Sequence, residues 1–242
     1  MFHVKQFDVF SKNTLQKFKI YQQILEKWQS KINLISHSTV KDAFQRHFID
    51  SAQLYPLIPS QTKTLMDLGS GAGFPALVLA ILNQTQNPTW SPIPVKGGEQ
   101  GDNPLMCDNI PSRDKIASNE IKPFWSIIAV ESDQRKCCFM DEVARQCQIR
   151  ITIKNQRIER IKHTSVDVIT ARALADLTTL LDYSLPFIHS QTHLLFLKGQ
   201  GAEAEIQEAL KKYDFSYRLY QSHTDEKGQI IQIEQLIKRD EK

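Results

Sequence analysis

The chain has 242 residues, 41% hydrophobic and 24% charged, with a net charge of +3. These proportions suit a packed globular chain and exclude wholesale disorder, and no apolar run approaches the roughly 18 residues that span a bilayer. The N-terminus has no cationic stretch followed by an apolar block, so a secretory signal is not expected and the expected compartment is the cytoplasm; the mild positive charge permits an anionic partner without requiring one.

Leu15, Phe18, Tyr21, Ile24, Leu25 and Trp28 recur at three- and four-residue steps. That spacing predicts an amphipathic helix, with Ser11 or Asn13 as its cap. A turn at 31–36 separates it from a second amphipathic helix, with Val40, Phe44, Phe48, Ser51, Leu54 and Tyr55 on one side. Pro56 and Pro59 end it. Residues 1–60 are therefore expected to form a helical arm.

From residue 61 the pattern becomes strand–helix alternation. Strands are expected at 64–68, 125–130, 150–154, 166–170, 194–197, 215–220 and 230–237. Helices are expected at 75–82, 134–146, 177–185 and 202–212, with Pro75 in a first turn and Pro186 as a stop. Alternating short buried strands and helices imply an α/β domain over 61–242, Rossmann-like, with a mostly parallel seven-stranded sheet covered on both faces. One stretch has no period. Residues 83–123 hold six of the ten prolines, with Gly97, Gly98 and Gly101. About 40 residues is far beyond the usual connection of 2 to 6, so 84–123 is read as an insertion without fixed structure.

Cys107, Cys137, Cys138 and Cys147 form no C-x-x-C pair. A disulfide between the adjacent Cys137 and Cys138 would be strained. They read as four reduced thiols, two or three on a buried helix face, and no metal site is expected.

The strongest chemical signal is Asp67-Leu68-Gly69-Ser70-Gly71-Ala72-Gly73-Phe74-Pro75, between an expected strand and helix. Glycines let the main chain turn tightly and approach a ligand, and a helix N-terminus adds exposed N–H donors. The spacing is G-x-G-x-G, not the G-x-G-x-x-G of dinucleotide enzymes. That disfavours a nicotinamide dehydrogenase. The competing reading is a tight turn with no ligand. The next strand ends in Glu131, where nucleoside-binding α/β folds place an acid on the ribose hydroxyls. Its separation from Gly73 matches the norm of roughly 20 residues once the insertion is subtracted. The competing reading there is a surface acid.

Five segments together carry a resemblance: Arg46-His47-Phe48-Ile49-Asp50-Ser51; Leu65 to Pro75; Val130-Glu131-Ser132 with Arg135-Lys136; Thr170-Ala171-Arg172-Ala173; and Leu197-Lys198-Gly199. In this order they resemble the RsmG family, also called glucose-inhibited division protein B. The resemblance runs from about Leu15 to Lys198 and more loosely to the end. It implies a class I S-adenosylmethionine-dependent methyltransferase acting on N7 of a guanosine in bacterial 16S rRNA, free or in the 30S subunit. Gly69, Gly71, Gly73 and Phe74 match the cofactor turn. Ile158 and Glu159, preceded by Arg157, match the pair along the adenine, and Arg172 matches the floor of the site. The long insertion departs from the family, as does Ala76, where a further glycine is frequent.

Guanine N7 carries a lone pair, so alignment rather than a general base is the requirement, and no catalytic acid or base is assigned. Arg46, His47 and Lys198 are the candidate RNA contacts, with Arg172 a further cation near the base. Arg135 and Lys136 read rather as a solvated first-turn pair, and Asp50 is expected to pair with Arg46 one turn back. A monomer is expected. Three rivals stay open: the same fold acting on a small molecule or protein, a dehydrogenase, and an RNA-binding module with a decayed pocket.

Overall fold

The computed structural model describes residues 10–85 and 124–239. The insertion read at 84–123 falls outside these residues except for its first two, and so does Cys107.

The arm begins with α1 (Lys12–Gln29), where the Ser11 side chain accepts the Thr14 N–H. Of the two candidate caps, Ser11 serves. Phe18, Tyr21 and Leu25 are fully buried. The second arm helix departs from expectation. In place of one continuous helix there is a 3-10 turn (His37–Thr39), a π turn (Phe44–Ile49) running into α2 (Asp50–Ala52), and a 3-10 turn (Tyr55–Leu57). Three consecutive residues, His47, Phe48 and Ile49, are buried. The wider π turn turns all three inward, and such turns cluster at functional sites.

Seven strands form one sheet in the order β3-β2-β1-β4-β5-β7-β6. These are β1 (Thr64–Leu68), β2 (Ser126–Glu131), β3 (Thr152–Asn155), β4 (Val168–Arg172), β5 (His193–Lys198), β6 (Tyr213–Gln221) and β7 (Gln229–Lys238). The first five are parallel, and β7 runs antiparallel to both β5 and β6. Chain order reverses between β1 and β4, which lie side by side with Leu68 opposite Ala171. Ligands of open α/β sheets bind outside the carboxyl ends of strands at such a reversal.

Among the described residues four helices cover the sheet: α3 (Ala76–Thr85), α4 (Gln134–Gln146), α5 (Leu177–Ser184) and α6 (Ala202–Ala209). Every residue of α3 from Ala76 to Asn83 is buried, because the sheet lies beneath it and α1 and α4 pack against it. Helix α3 runs three residues past the expected end, and α6 stops three short, where Tyr213 begins β6. On the other face, Leu177, Leu181 and Ile206 share a core with Phe196. Cys137 and Cys147 are buried, Cys138 is exposed, and all three are free. Among the described residues no helix is long and apolar enough to cross a membrane.

The arm is bonded to the sheet layer, not tethered beside it. The Tyr21 hydroxyl donates to the Ala72 carbonyl, and Thr14 bonds Thr85 at the end of α3. Burying Phe18 and Phe48 adds about 1.5–3 kcal/mol each, so the arm is held mainly by apolar contact.

Candidate functional site

Strand β1 delivers its last residue into the glycine turn. Ser70 N–H donates to the Val130 carbonyl at 3.0 Å, which ties the turn to β2. Gly69, Gly71 and Gly73 have φ of 67°, 58° and 85°, a left-handed region that costs other residues roughly 1–2 kcal/mol. Space separates their duties. A Cβ on Gly69 would lie 2.6 Å from Leu174 Cδ1, and one on Gly73 would lie 2.3 Å from Leu77 Cδ1. On Gly71 it would meet only the Gly69 carbonyl, at 3.8 Å. Gly69 and Gly73 therefore close the turn onto its neighbours, whereas Gly71 leaves an open approach.

Glu131 faces that approach from the end of β2. It is only 9% exposed. Its Oε2 accepts the Gly71 N–H at 2.9 Å and its Oε1 accepts the Asp133 N–H at 2.8 Å. The carboxylate is thus fixed at the strand tip with a lone pair to spare on each oxygen. Around it lies a cleft of about 510 Å³. Gly69, Gly71, Phe74, Ile158, Glu159 and Arg172 line it, with His47, Thr39 and Ile35 from the arm. Ile158 and Glu159 stand on a short 3-10 turn (Ile158–Arg160) after β3. Seven of the eight residues expected at the cofactor, Gly73 excepted, border this cleft; Gly73 shapes the turn from behind.

Beneath the turn, Asp67 is fully buried, and its Oδ1 accepts the Thr170 hydroxyl at 2.7 Å. Burial, chiefly, pushes its carboxyl up to about 7, and the nearby charge of Glu131 acts the same way. Sequence reasoning placed Asp67 only as the acid before the turn. An aspartate inside an apolar strand is the signal that was available.

His47 and Arg172 meet at the floor. Arg172 Nη1 lies 2.7 Å from His47 Nδ1. A guanidinium only donates, so Nδ1 accepts and the ring proton sits on Nε2, which donates to Thr39 Oγ1 at 2.8 Å. Burial, then the charges of Arg172 and Arg46, hold the His47 pKa down to about 3. The neutral ring stacks on Phe74, with centroids 5.1 Å apart. His47 is therefore a wall of the cleft, 7% exposed, while Arg172 also donates to the Arg46 carbonyl and pairs with Asp50 at 3.2 Å.

The expected Arg46–Asp50 pair does not form. Arg46 pairs with Asp225 at 2.8 Å, and Asp50 with Arg172. Each is instead taken by a partner from elsewhere in the chain, Arg46 by the β6–β7 connection and Asp50 by the end of β4. Lys198 is likewise engaged: its ammonium lies 2.6 Å from Glu205 and donates to the Ala175 carbonyl. Arg135 pairs with Asp133 in the open, while Lys136 borders the first cleft.

A second cleft of about 240 Å³ adjoins the first at Arg172 and Ala173, which line both. Arg46, Asp50, Lys198, Thr224, Asp225 and Gln229 surround it. Asp225 and Thr224 come from the β6–β7 connection, for which the sequence carried no chemical signal.

The sequence model of the family described as rRNA small subunit methyltransferase G matches residues 14–89 and 115–233. A protein named ribosomal RNA small subunit methyltransferase G from Paramagnetospirillum magneticum is 35% identical over 226 residues, covering 93% of this chain and 91% of its own. One of the same name from Gluconobacter oxydans is 36% identical over 223 residues, covering 92% and 94%. A solved structure of a mutant of MtNAS aligns with a TM-score of 0.50 at 9% identity, over 92% of this chain and 70% of that one. That likeness shows the fold alone. The sheet order, the glycine turn and the acid at the tip of β2 are those of a class I S-adenosylmethionine-dependent methyltransferase. The chain belongs to the rRNA small subunit methyltransferase G family, and it is an S-adenosylmethionine-dependent rRNA methyltransferase.

Proposed function

We propose that this enzyme methylates N7 of a guanosine in 16S rRNA, using the first cleft for S-adenosylmethionine. The observation that carries the reading is Glu131, anchored by the Gly71 N–H yet keeping acceptor capacity toward the cleft. The residues fit the group. Gly71 leaves room for main-chain approach, Glu131 would accept the sugar hydroxyls, and Ile158 and Glu159 would flank the base of the nucleoside. When bound, the cofactor supplies a methyl group on a positively charged sulfur.

The chain's own contribution is positioning. N7 needs no base to become a nucleophile, and the barrier falls when the reactants are held in line. Arg172, fixed by His47, the Arg46 carbonyl and Asp50, makes a rigid floor where the two clefts meet. Arg46 and Lys198, each paired with an acid, border the second cleft, where the RNA approaches. We read residues 1–60 as the arm and 61–242 as the catalytic domain, the enzyme as a cytoplasmic monomer, and the substrate as 16S rRNA, free or within the 30S subunit.

The test uses labelled S-adenosylmethionine with 30S subunits and with naked 16S rRNA, both lacking the mark. Label mapping to N7 of one guanosine is expected in at least one of them. Absence of label in both, with folded protein that binds the cofactor, would falsify the rRNA assignment and return the small-molecule or protein alternative.

A further inference from the structure

A base that undergoes chemistry is taken out of its stack and read in a pocket by its Watson–Crick edge. If guanine N7 is the methyl acceptor, which is the reading proposed above, the N7 edge faces the first cleft. The opposite edge, with N1–H and N2–H donors, then points away from the cofactor. The second cleft lies there, at the carboxyl ends of β4 and β5. It adjoins the first cleft at Arg172 and Ala173, which line both. Ala173 has φ of 52°, a conformation that non-glycine residues adopt uncommonly.

Two parallel donors call for a carboxylate. Two carboxylates border the cleft, and they differ in what they already hold. Asp50 is spent: its Oδ1 accepts from Thr224 at 2.8 Å, Gln53 at 3.1 Å and Ser222 at 3.3 Å, and its Oδ2 faces Arg172. Asp225 is not. Its Oδ1 accepts the Lys227 N–H at 3.0 Å and its Oδ2 faces Arg46 at 2.8 Å, which leaves one lone pair on each oxygen. Its side chain is 35% exposed. The amide of Lys227, then Arg46, holds it below the usual carboxylate range, so it stays ionised. The turn that presents it is fixed: Gly228 N–H donates to the Asp225 carbonyl, and Gln221 donates to the same oxygen.

We propose that the second cleft receives the target guanine and that Asp225 reads its N1–H and N2–H edge, which selects guanine over adenine. Adenine presents an acceptor at N1, and a carboxylate repels it. The charge change fits as well. As the methyl carbon leaves sulfur and bonds to N7, the positive charge passes from sulfur to the purine with no proton transferred. A fixed anion beside the ring favours that transfer.

The test is Asp225→Asn, crossed with replacement of the target guanosine by inosine, which lacks the N2 amino group. The target is located by mapping the label that the wild-type enzyme leaves, and the RNA is presented in whichever form the wild type labels. The wild type is expected to prefer guanosine over inosine by roughly tenfold. Asp225→Asn is expected to lose roughly ten- to a hundredfold in kcat/KM on guanosine, to bind S-adenosylmethionine within about twofold of wild type, and to lose the preference over inosine. A wild-type enzyme indifferent to inosine overturns the proposal, whatever the variant does. So does a variant that is slow but keeps the full guanosine preference, the mark of a merely structural role through Arg46. A wild type that labels no RNA instead overturns the rRNA reading beneath it.

Discussion

The two clefts adjoin at Arg172 and Ala173 and are built from opposite materials. The first is made of main chain: three glycines at positive φ and amides that pin one carboxylate. The second is made of side chains joined in ion pairs, Arg46 with Asp225 and Arg172 with Asp50. A main-chain cradle tolerates almost no added atoms yet depends little on distant residues. A side-chain cradle depends on partners brought together by the fold, so losing one partner strands another. The first suits a ligand whose shape never varies, and the second suits discrimination between bases.

That contrast predicts unequal damage. The largest effect is expected for Arg172→Met. It leaves Asp50 without its cation in a site where both side chains are below 20% exposed, and removes a donor from His47 and from the Arg46 carbonyl. Breaking one side of such a pair costs about 3–5 kcal/mol. Urea unfolding checks it, and a loss below about 1 kcal/mol would show that the floor is not a unit. Next comes Gly71→Asp. Its Cβ has open space, and aspartate tolerates the left-handed region better than most residues, so the sheet survives. The added carboxylate stands beside Glu131 and fills the approach. Calorimetry is expected to show affinity for S-adenosylmethionine falling by more than about a hundredfold, near 3 kcal/mol. A Gly71→Asp protein that binds normally would detach the turn from the cofactor.

The same contrast decides what was legible in the sequence. The glycine turn was legible because φ near +60° leaves a mark in residue type. The sheet was legible because a strand buried on both faces is mainly apolar, as β1 and β4 are apart from Asp67, Thr170 and their end residues. Glu131 emerged once the insertion was subtracted. The second cleft left no such mark. Arg46 and Asp225 are 179 residues apart, and no local pattern couples them. Asp50 was assigned to Arg46 four residues back, when Arg172 at the end of β4 takes it, a pairing across the fold that no local spacing marks. Lys198 was legible as a cation at a strand end, but its bond to Glu205 was not.

His47 holds Arg172, which borders both clefts, and its protonation tests that hold. Its Nδ1 must stay unprotonated to accept from Arg172, and its pKa is held down to about 3 against about 6.5 in an unfolded chain. A depressed folded-state pKa means that the stability is present above pH 6.5. It is lost as the pH falls toward 3, because the unfolded chain takes up the proton first. The slope approaches about 1.4 kcal/mol per pH unit. His47→Gln, which keeps a hydrogen-bonding group but has no proton to gain, is expected to flatten this part of the profile between pH 6.5 and 5. Equal slopes in the two proteins would mean that His47 titrates normally and that the floor does not require its neutral form.

The smallest effect is expected for Glu131→Gln. The amide keeps the length of the side chain and one acceptor oxygen, but replaces the other with a donor. One of the two main-chain amides that now point at the carboxylate, from Gly71 and Asp133, then faces an N–H₂ group. The side chain must choose which amide to keep. Keeping the Gly71 contact preserves the turn and presents the NH₂ group toward Asp133, so one ribose hydroxyl loses its acceptor. Affinity for S-adenosylmethionine is then expected to fall by about tenfold, near 1.4 kcal/mol, with the fold unchanged. A drop as large as that of Gly71→Asp would mean that Glu131 holds the turn open rather than gripping the sugar. Comparing the cofactor with its 2′-deoxyribose analogue separates the two roles. If the carboxylate binds the sugar, wild type discriminates between them and Glu131→Gln discriminates less; if it only props the turn, both proteins discriminate alike.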